Sequence, residues 1–388
     1  MDSVNEELAR ARVSLKEAGC DLALLASVTN VTYVSGFEVP LPVGVSAAVP
    51  YAPPFALVSV RDSAAWLATS IFHTAQAARE SRLDQLLTFA GFDSFQPSDP
   101  RGSYLQAVRT ALQQAGLKDA GRLGVEGRAL PYGAAALIAR EFPLAQLIDI
   151  DEAMDSARRI KTPREIELLR RAAHIGDVGH RTLASLAQTA GQNEFDMYAE
   201  IIARMQQAAG HEIPVSGELV TGPRTTTVNY PGGPLDRVTE PGDAALMDIS
   251  QRVDGYWSDC TNTHVIGGVA PSAIQLKYAR ASQAAFAAAA ENLRPGKQAS
   301  DVWSAANAAY EKHGLAMPHY MGHQIGASVN ELPRLVPYDH TPIEANMVFA
   351  VEPGAYQGPG GAFGARSEKM IWVTETGPEI LSHFDWGI

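Results

Sequence analysis

Five side chains in the C-terminal half of the sequence have the types and positions to gather cations. Asp248 closes the apolar run Ala244 to Met247, and Asp259 follows beyond Asp254-Gly255, a dipeptide that favours two-residue hairpin turns. With that turn, Val253 pairs with Tyr256 and Asp248 faces Thr261, on the same side as Asp259. The two carboxylates become diagonal neighbours, about 7 Å apart at Cα, which lets them share one or two cations. Taken alone, the pair reads as a polar hairpin with solvated aspartates, because acidic side chains are mostly exposed. Three later residues change that reading. His323 lies in MGHQIG, between glycines that let backbone approach a site closely. Glu352 ends the apolar run MVFAV and is followed by Pro353-Gly354. Glu368 opens an alternating face with Met370, Trp372 and Thr374, where a carboxylate needs a partner. Mostly hard oxygen donors with one imidazole suit manganese, cobalt or zinc, and the set exceeds what one catalytic zinc takes from protein. The expectation is a two-metal site, of the kind that activates water.

The elements that must carry these residues form two groups. Residues 1–156 alternate helix and strand patterns: a helix to about residue 18, then DLALLAS, NVTYVSGF, ALVSV and AAWLATS as strands. A helix over 104–115, the strand RLGVEG, a helix over 130–141 and the strand AQLIDI complete a small α/β domain. Residues 157–388 form the second domain. There Thr162, Pro163 and Glu165 make a capping box with proline at the first helical position, and helices are expected over 194–209 and 273–292. Strand-like runs DAALMDIS, GYWSDCTNTHVIG, MVFAVEPG and KMIWVTE make this part α+β with much antiparallel sheet. A degenerate duplication of half-domains is compatible with this pattern.

Composition narrows the function classes. The chain has 388 residues, 46% of them hydrophobic and 19% charged, which excludes disorder and coiled coil. A net charge of −12 repels phosphate backbones and anionic lipid, so neither nucleic acid nor membrane is an expected partner. The longest uncharged run, residues 39–60, carries Pro40, Pro42, Pro50, Pro53 and Pro54 and reads as a loop, not a membrane span. The first residues carry no apolar signal-peptide core, and two distant cysteines suit a reducing compartment, so the cytoplasm is the expected location.

MDIS…GYWSDCTNT, MGHQIGASVNELPRL, MVFAVEPGAY and RSEKMIWVTETGPEIL, in this order, resemble the signature of the M24 metallopeptidases. These have the creatinase/aminopeptidase ("pita-bread") fold and include Xaa-Pro dipeptidases and aminopeptidases. CDLALLASVTNVTYVSGF and RRIKTPREIELLRRA resemble the creatinase-type N-terminal domain and the junction helix, so the resemblance spans the chain. It implies a pseudo-twofold antiparallel catalytic domain after a smaller α/β domain. It also implies a dinuclear centre of Asp248, Asp259, His323, Glu352 and Glu368, bridged by Asp259 and Glu368. By the same resemblance the substrate is a short peptide of the Xaa-Pro type, cut by a dipeptidase, aminopeptidase or carboxypeptidase, and the enzyme is a homodimer. Glu352 is the expected proton carrier, while His319, Asn330 and Arg366 orient substrate or stabilise charge beside Tyr356. Tyr356 as a core residue and Arg366 as a counter-charge are the plainer readings. Two departures stand out: Asn330 replaces a histidine seven residues after His323, and Asn229 falls near a second histidine position. Neither can shuttle a proton, although both can donate hydrogen bonds. The departures keep open an alternative, a metal-dependent hydrolase or lyase of a small non-peptide molecule.

Overall fold

The computed structural model describes residues 5–117, 120–228 and 232–388. The chain divides into two compact units, Met1–Arg159 and Ile160–Ile388. In the first, the order is α1 (Glu6–Glu17), β1 (Leu22–Leu25), α2 (Val28–Ser35), α3 (Val45–Ala48), β2 (Phe55–Ser59), β3 (Ala65–Ser70) and α4 (Thr74–Glu80). Then come β4 (Gln85–Phe89), α5 (Pro100–Gln114), β5 (Arg122–Val125), α6 (Tyr132–Glu141), β6 (Gln146–Asp149) and α7 (Asp151–Arg159). The expected boundary at residues 156/157 falls inside α7. A mixed sheet of order β4-β3-β2-β1-β5-β6 carries the core, with Leu22, Leu24, Phe55, Leu57 and Trp66 packed on Tyr104, Val108, Leu112, Leu137 and Ile138.

One element of this unit corrects the sequence reading. NVTYVSGF is not a strand but most of α2. The Ser27 side chain accepts from the Asn30 N–H at its start, and Gly36 closes it with φ 73°. These two end signals prevail over the β propensity of Val28, Val31, Thr32 and Val34.

The second unit repeats one motif, two helices followed by antiparallel strands. Its first half is α8 (Pro163–Leu186), α9 (Glu194–Ala209), β7 (Val215–Thr221), β8 (Ala244–Val253) and β9 (Tyr256–Val265). Its second half is α10 (Ala273–Asn292), α11 (Ala299–Lys312), β10 (Gly322–Gln324), β11 (Glu331–Arg334) and β12 (Val348–Val351), then β13 (Gly354–Tyr356), β14 (Gly364–Arg366), β15 (Lys369–Thr374) and β16 (Gly377–Ile380). α8 starts with the capping box of Thr162 and Glu165 and with Pro163 in its first turn. Its apolar residues, with Met197, Ile201 and Met205 of α9, cover Ala245, Met247 and Ile249 of β8. Strand alternation therefore turns Asp248 away from the helices. Likewise Ala281, Ala285, Val302 and Tyr310 of α10 and α11 cover Phe349, Val351, Ile371 and Val373. The helix-free faces of both sheets meet where the Glu368 N–H donates to Thr261 O at 2.9 Å.

Candidate active site

The Asp254-Gly255 turn forms as its sequence requires, with φ 52° and 85°, and pairs Val253 with Tyr256 and Asp248 with Thr261. Asp248 and Asp259 thus share one face of the β8–β9 hairpin. Glu352 follows β12 directly, and Glu368 immediately precedes β15. His323 lies within a strand, β10, not in a loop. Gly322 is needed there because a Cβ at that position, with φ 151°, would lie 2.2 Å from Ala350 O. Gly217 repeats the arrangement on β7, where a Cβ would meet Asp248 O at 2.1 Å. The residue after it, Glu218, pairs with Asp248 as His323 pairs with Ala350.

Ligand atoms of Asp259, His323 and Glu368 all lie within 4.8 Å of one another. His323 Nε2 is 3.7 Å from Asp259 Oδ2 and 3.5 Å from Glu352 Oε1. Its Nδ1 is 2.9 Å from Gln324 O, so the proton sits on Nδ1 and the Nε2 lone pair faces the carboxylates. Burial also lowers its pKa and favours the neutral ring. Ser250 donates to Asp259 at 2.8 Å and Thr261 to Glu368 at 2.6 Å. Burial, and then the charges of neighbouring carboxylates, push Asp259 and Glu368 well above the ordinary carboxylate range. The same causes, burial and then Asp248, raise Glu352 to about 8. A buried set of oxygen donors that repel one another, around an imidazole lone pair, fits divalent cations.

Asp248 is drawn aside to Arg366, whose Nη2 donates to Asp248 Oδ2 at 2.6 Å and to Glu218 Oε2 at 3.0 Å. Arg366 Nη1 donates to Tyr356 Oη at 2.8 Å, and Tyr356 Oη lies 3.4 Å from His319 Nε2. His319 Nδ1 is 2.7 Å from Tyr320 O, so Arg366, Tyr356 and His319 form one chain with the ring neutral. Burial lowers His319 to about 4. Tyr356 is half-buried and spends its hydroxyl on Arg366 and His319. Asp248, Asp259, His319, His323, Asn330, Glu352 and Arg366 all line a cleft of about 450 Å³. Buried Lys161 donates to Gln324 at 2.8 Å and Glu331 at 2.9 Å, which ties β10, carrying His323, to the start of β11, just after Asn330. Asn229 lies outside the described residues. Glu218 and Tyr320, which also line the cleft, were not singled out in the sequence. The alternation of VSGELVT could have pointed to Glu218, but nothing local marks Tyr320.

The model of metallopeptidase family M24 matches residues 167–375, and that of the creatinase/prolidase N-terminal domain matches residues 7–160. The chain belongs to metallopeptidase family M24. Its similarity extends to the Xaa-Pro dipeptidase of Pyrococcus horikoshii, 25% identical over 98% of both chains. A solved structure of the prolidase from Pyrococcus furiosus superposes with a TM-score of 0.75 at 25% identity, covering 96% of this chain and 99% of that one. An Xaa-Pro dipeptidase from Bacillus anthracis gives 0.79 at 23% identity over 98% of each chain, a likeness of fold. The pita-bread architecture and the metal-dependent peptidase class follow. No helix of the described residues is long and apolar enough to cross a membrane.

Proposed function

We propose that this metallopeptidase hydrolyses short peptides of the Xaa-Pro type with a pair of divalent ions. The observation that carries the reading is the buried carboxylate set that faces the free Nε2 of His323. Asp248, Asp259, His323, Glu352 and Glu368 would hold two ions, manganese, cobalt or zinc, with Asp259 and Glu368 shared between them. When bound, the ions supply an acidified water and a polarised scissile carbonyl. Glu352, which lines the cleft at the end of β12, would carry a proton to the leaving nitrogen. Asp248 would leave Arg366 for a metal, which frees an Arg366 donor beside the cleft. His319, held neutral against Tyr356 and Tyr320, and Asn330 would orient the peptide and stabilise developing negative charge. The named relatives favour a peptide over a small non-peptide amide. The proposal extends to a homodimer in the cytoplasm, where the two free buried cysteines suit a reducing environment. Sedimentation at the mass of one chain would refute the dimer. The test of function uses metal-stripped protein reloaded with manganese, cobalt or zinc and incubated with dipeptides to pentapeptides, with and without proline at each position. Mass spectrometry should find metal-dependent cleavage at proline, and the cut position assigns amino-, di- or carboxypeptidase type. Cleavage of no peptide by fully loaded protein would overturn the reading.

A further inference from the structure

Arg366 holds two carboxylates where one would balance its charge. The side chain is buried, 3% exposed, and every guanidinium nitrogen is engaged. Nε donates to Thr261 Oγ1 at 3.1 Å and Nη1 to Tyr356 Oη at 2.8 Å, while Nη2 donates to both Asp248, at 2.6 Å, and Glu218, at 3.0 Å. No other carboxylate among the described residues forms an ion pair with it. Register places the two acids together: Glu218 of β7 and Asp248 of β8 are direct cross-strand partners, so both side chains leave one face of the sheet. Their tasks differ. Asp248 is one of the five residues that would hold ions, yet the group that already has ligand spacing, Asp259, His323 and Glu368, leaves it out. To reach an ion it must give up Arg366. A buried guanidinium left without a counter-charge is strongly unfavourable, so in the absence of Glu218 the departure of Asp248 would be opposed. With Glu218 in place, Asp248 leaves a balanced pair behind.

We propose that Glu218 is a positioning residue for the metal centre, which keeps Arg366 charge-balanced so that Asp248 can turn to an ion. In this role Glu218 acts only through Arg366. The proposal rests on the two-ion reading, and its test reads metal instead of turnover. Manganese-loaded wild type, Glu218→Gln, Arg366→Gln and the double variant are dialysed against a graded series of chelator concentrations, and the manganese left per chain is measured. Glu218→Gln should release one of its ions at about tenfold lower chelator than the wild type, the loss usual for a partner that stands behind a metal ligand. In the Arg366→Gln background the same substitution should cost less than about twofold, because nothing then holds Asp248 away from the ion. A carboxylate that only attracts cations through space would cost the same factor in both backgrounds, and that result would overturn the proposal. Crystals of Glu218→Gln soaked in manganese should show Asp248 still bonded to Arg366, and Asp248 on an ion there would equally overturn it. Glu218→Asp, which keeps the charge on a shorter arm, should retain more manganese than Glu218→Gln, and it carries the comparison if the amide variant does not fold. Wild type that holds fewer than two ions would overturn the two-ion reading and the proposal together, whereas two ions in the wild type with equal losses in both backgrounds would overturn the proposal alone.

Discussion

Glu126 in the N-terminal unit and Glu368 in the C-terminal unit are almost equally buried, 2% and 1% exposed, yet their surroundings are opposites. Glu126 accepts hydrogen bonds from the backbone N–H groups of Ala26 and Ser27, the Ser27 hydroxyl and the Asn30 amide, all at the start of α2. Glu368 accepts from Thr261 and otherwise faces the charges of Asp259, Asp248 and Glu352. A buried carboxylate answered by donors holds structure together. Buried carboxylates answered by one another make a place for cations.

The comparison is broken most directly at the bridging position. Asp259→Asn should lose metal and reduce turnover by more than the roughly 100-fold that removal of an outer-shell partner costs, as read by metal analysis and peptide cleavage. In the other unit, Glu126→Ala should leave metal content unchanged but strand several donors, which costs about 3 kcal/mol in urea unfolding. Glu352→Gln should act with the opposite sign in metal-free protein at pH 7. Removal of a carboxyl group that folding raises from 4.5 to about 8 should stabilise that form, seen as a higher urea midpoint.

The pH dependence sharpens the contrast further. Glu352 has a raised folded pKa, so its contribution to metal-free stability is present below about pH 4.5 and is lost as pH rises through about 8. Burial lowers His180 to about 3 and His264 to about 4, so their contribution is present above 6.5 and is lost as pH falls towards those values. On these three groups, stability of the metal-free protein rises with pH up to 6.5 and falls from there towards 8, whereas manganese should move the maximum of melting temperature upward. An optimum unmoved by metal would contradict this. The smallest effect expected is that of Tyr356→Phe, a loss of about tenfold in kcat/KM with metal content unchanged.

Much of the site was legible because local rules coincide with the fold. The Asp254-Gly255 turn fixes a register, and register alone aligns Asp248 with Thr261 and thus with Asp259. Thr162, Pro163 and Glu165 announce α8, and the expected helices over 194–209 and 273–292 match α9 and α10. Glu218 was missed because its importance comes from the pairing of β7 with β8, a strand distant in sequence. Tyr320 was missed because its link to Glu352 arises only when the loop before β10 reaches the cleft. α2 was misread because propensity outweighed the signals of Ser27 and Gly36, and the Glu126 carboxylate that supports its start comes from another element.

The most direct measurement is a titration of metal-stripped wild type and Asp259→Asn with manganese, followed by calorimetry and by mass-spectrometric detection of Xaa-Pro dipeptide cleavage in the same samples. The wild type should take up two ions per chain and gain cleavage in step with occupancy, and the variant should do neither. Cleavage by stripped protein, or undiminished uptake and turnover in the variant, would contradict the assignment of these carboxylates as the catalytic metal site.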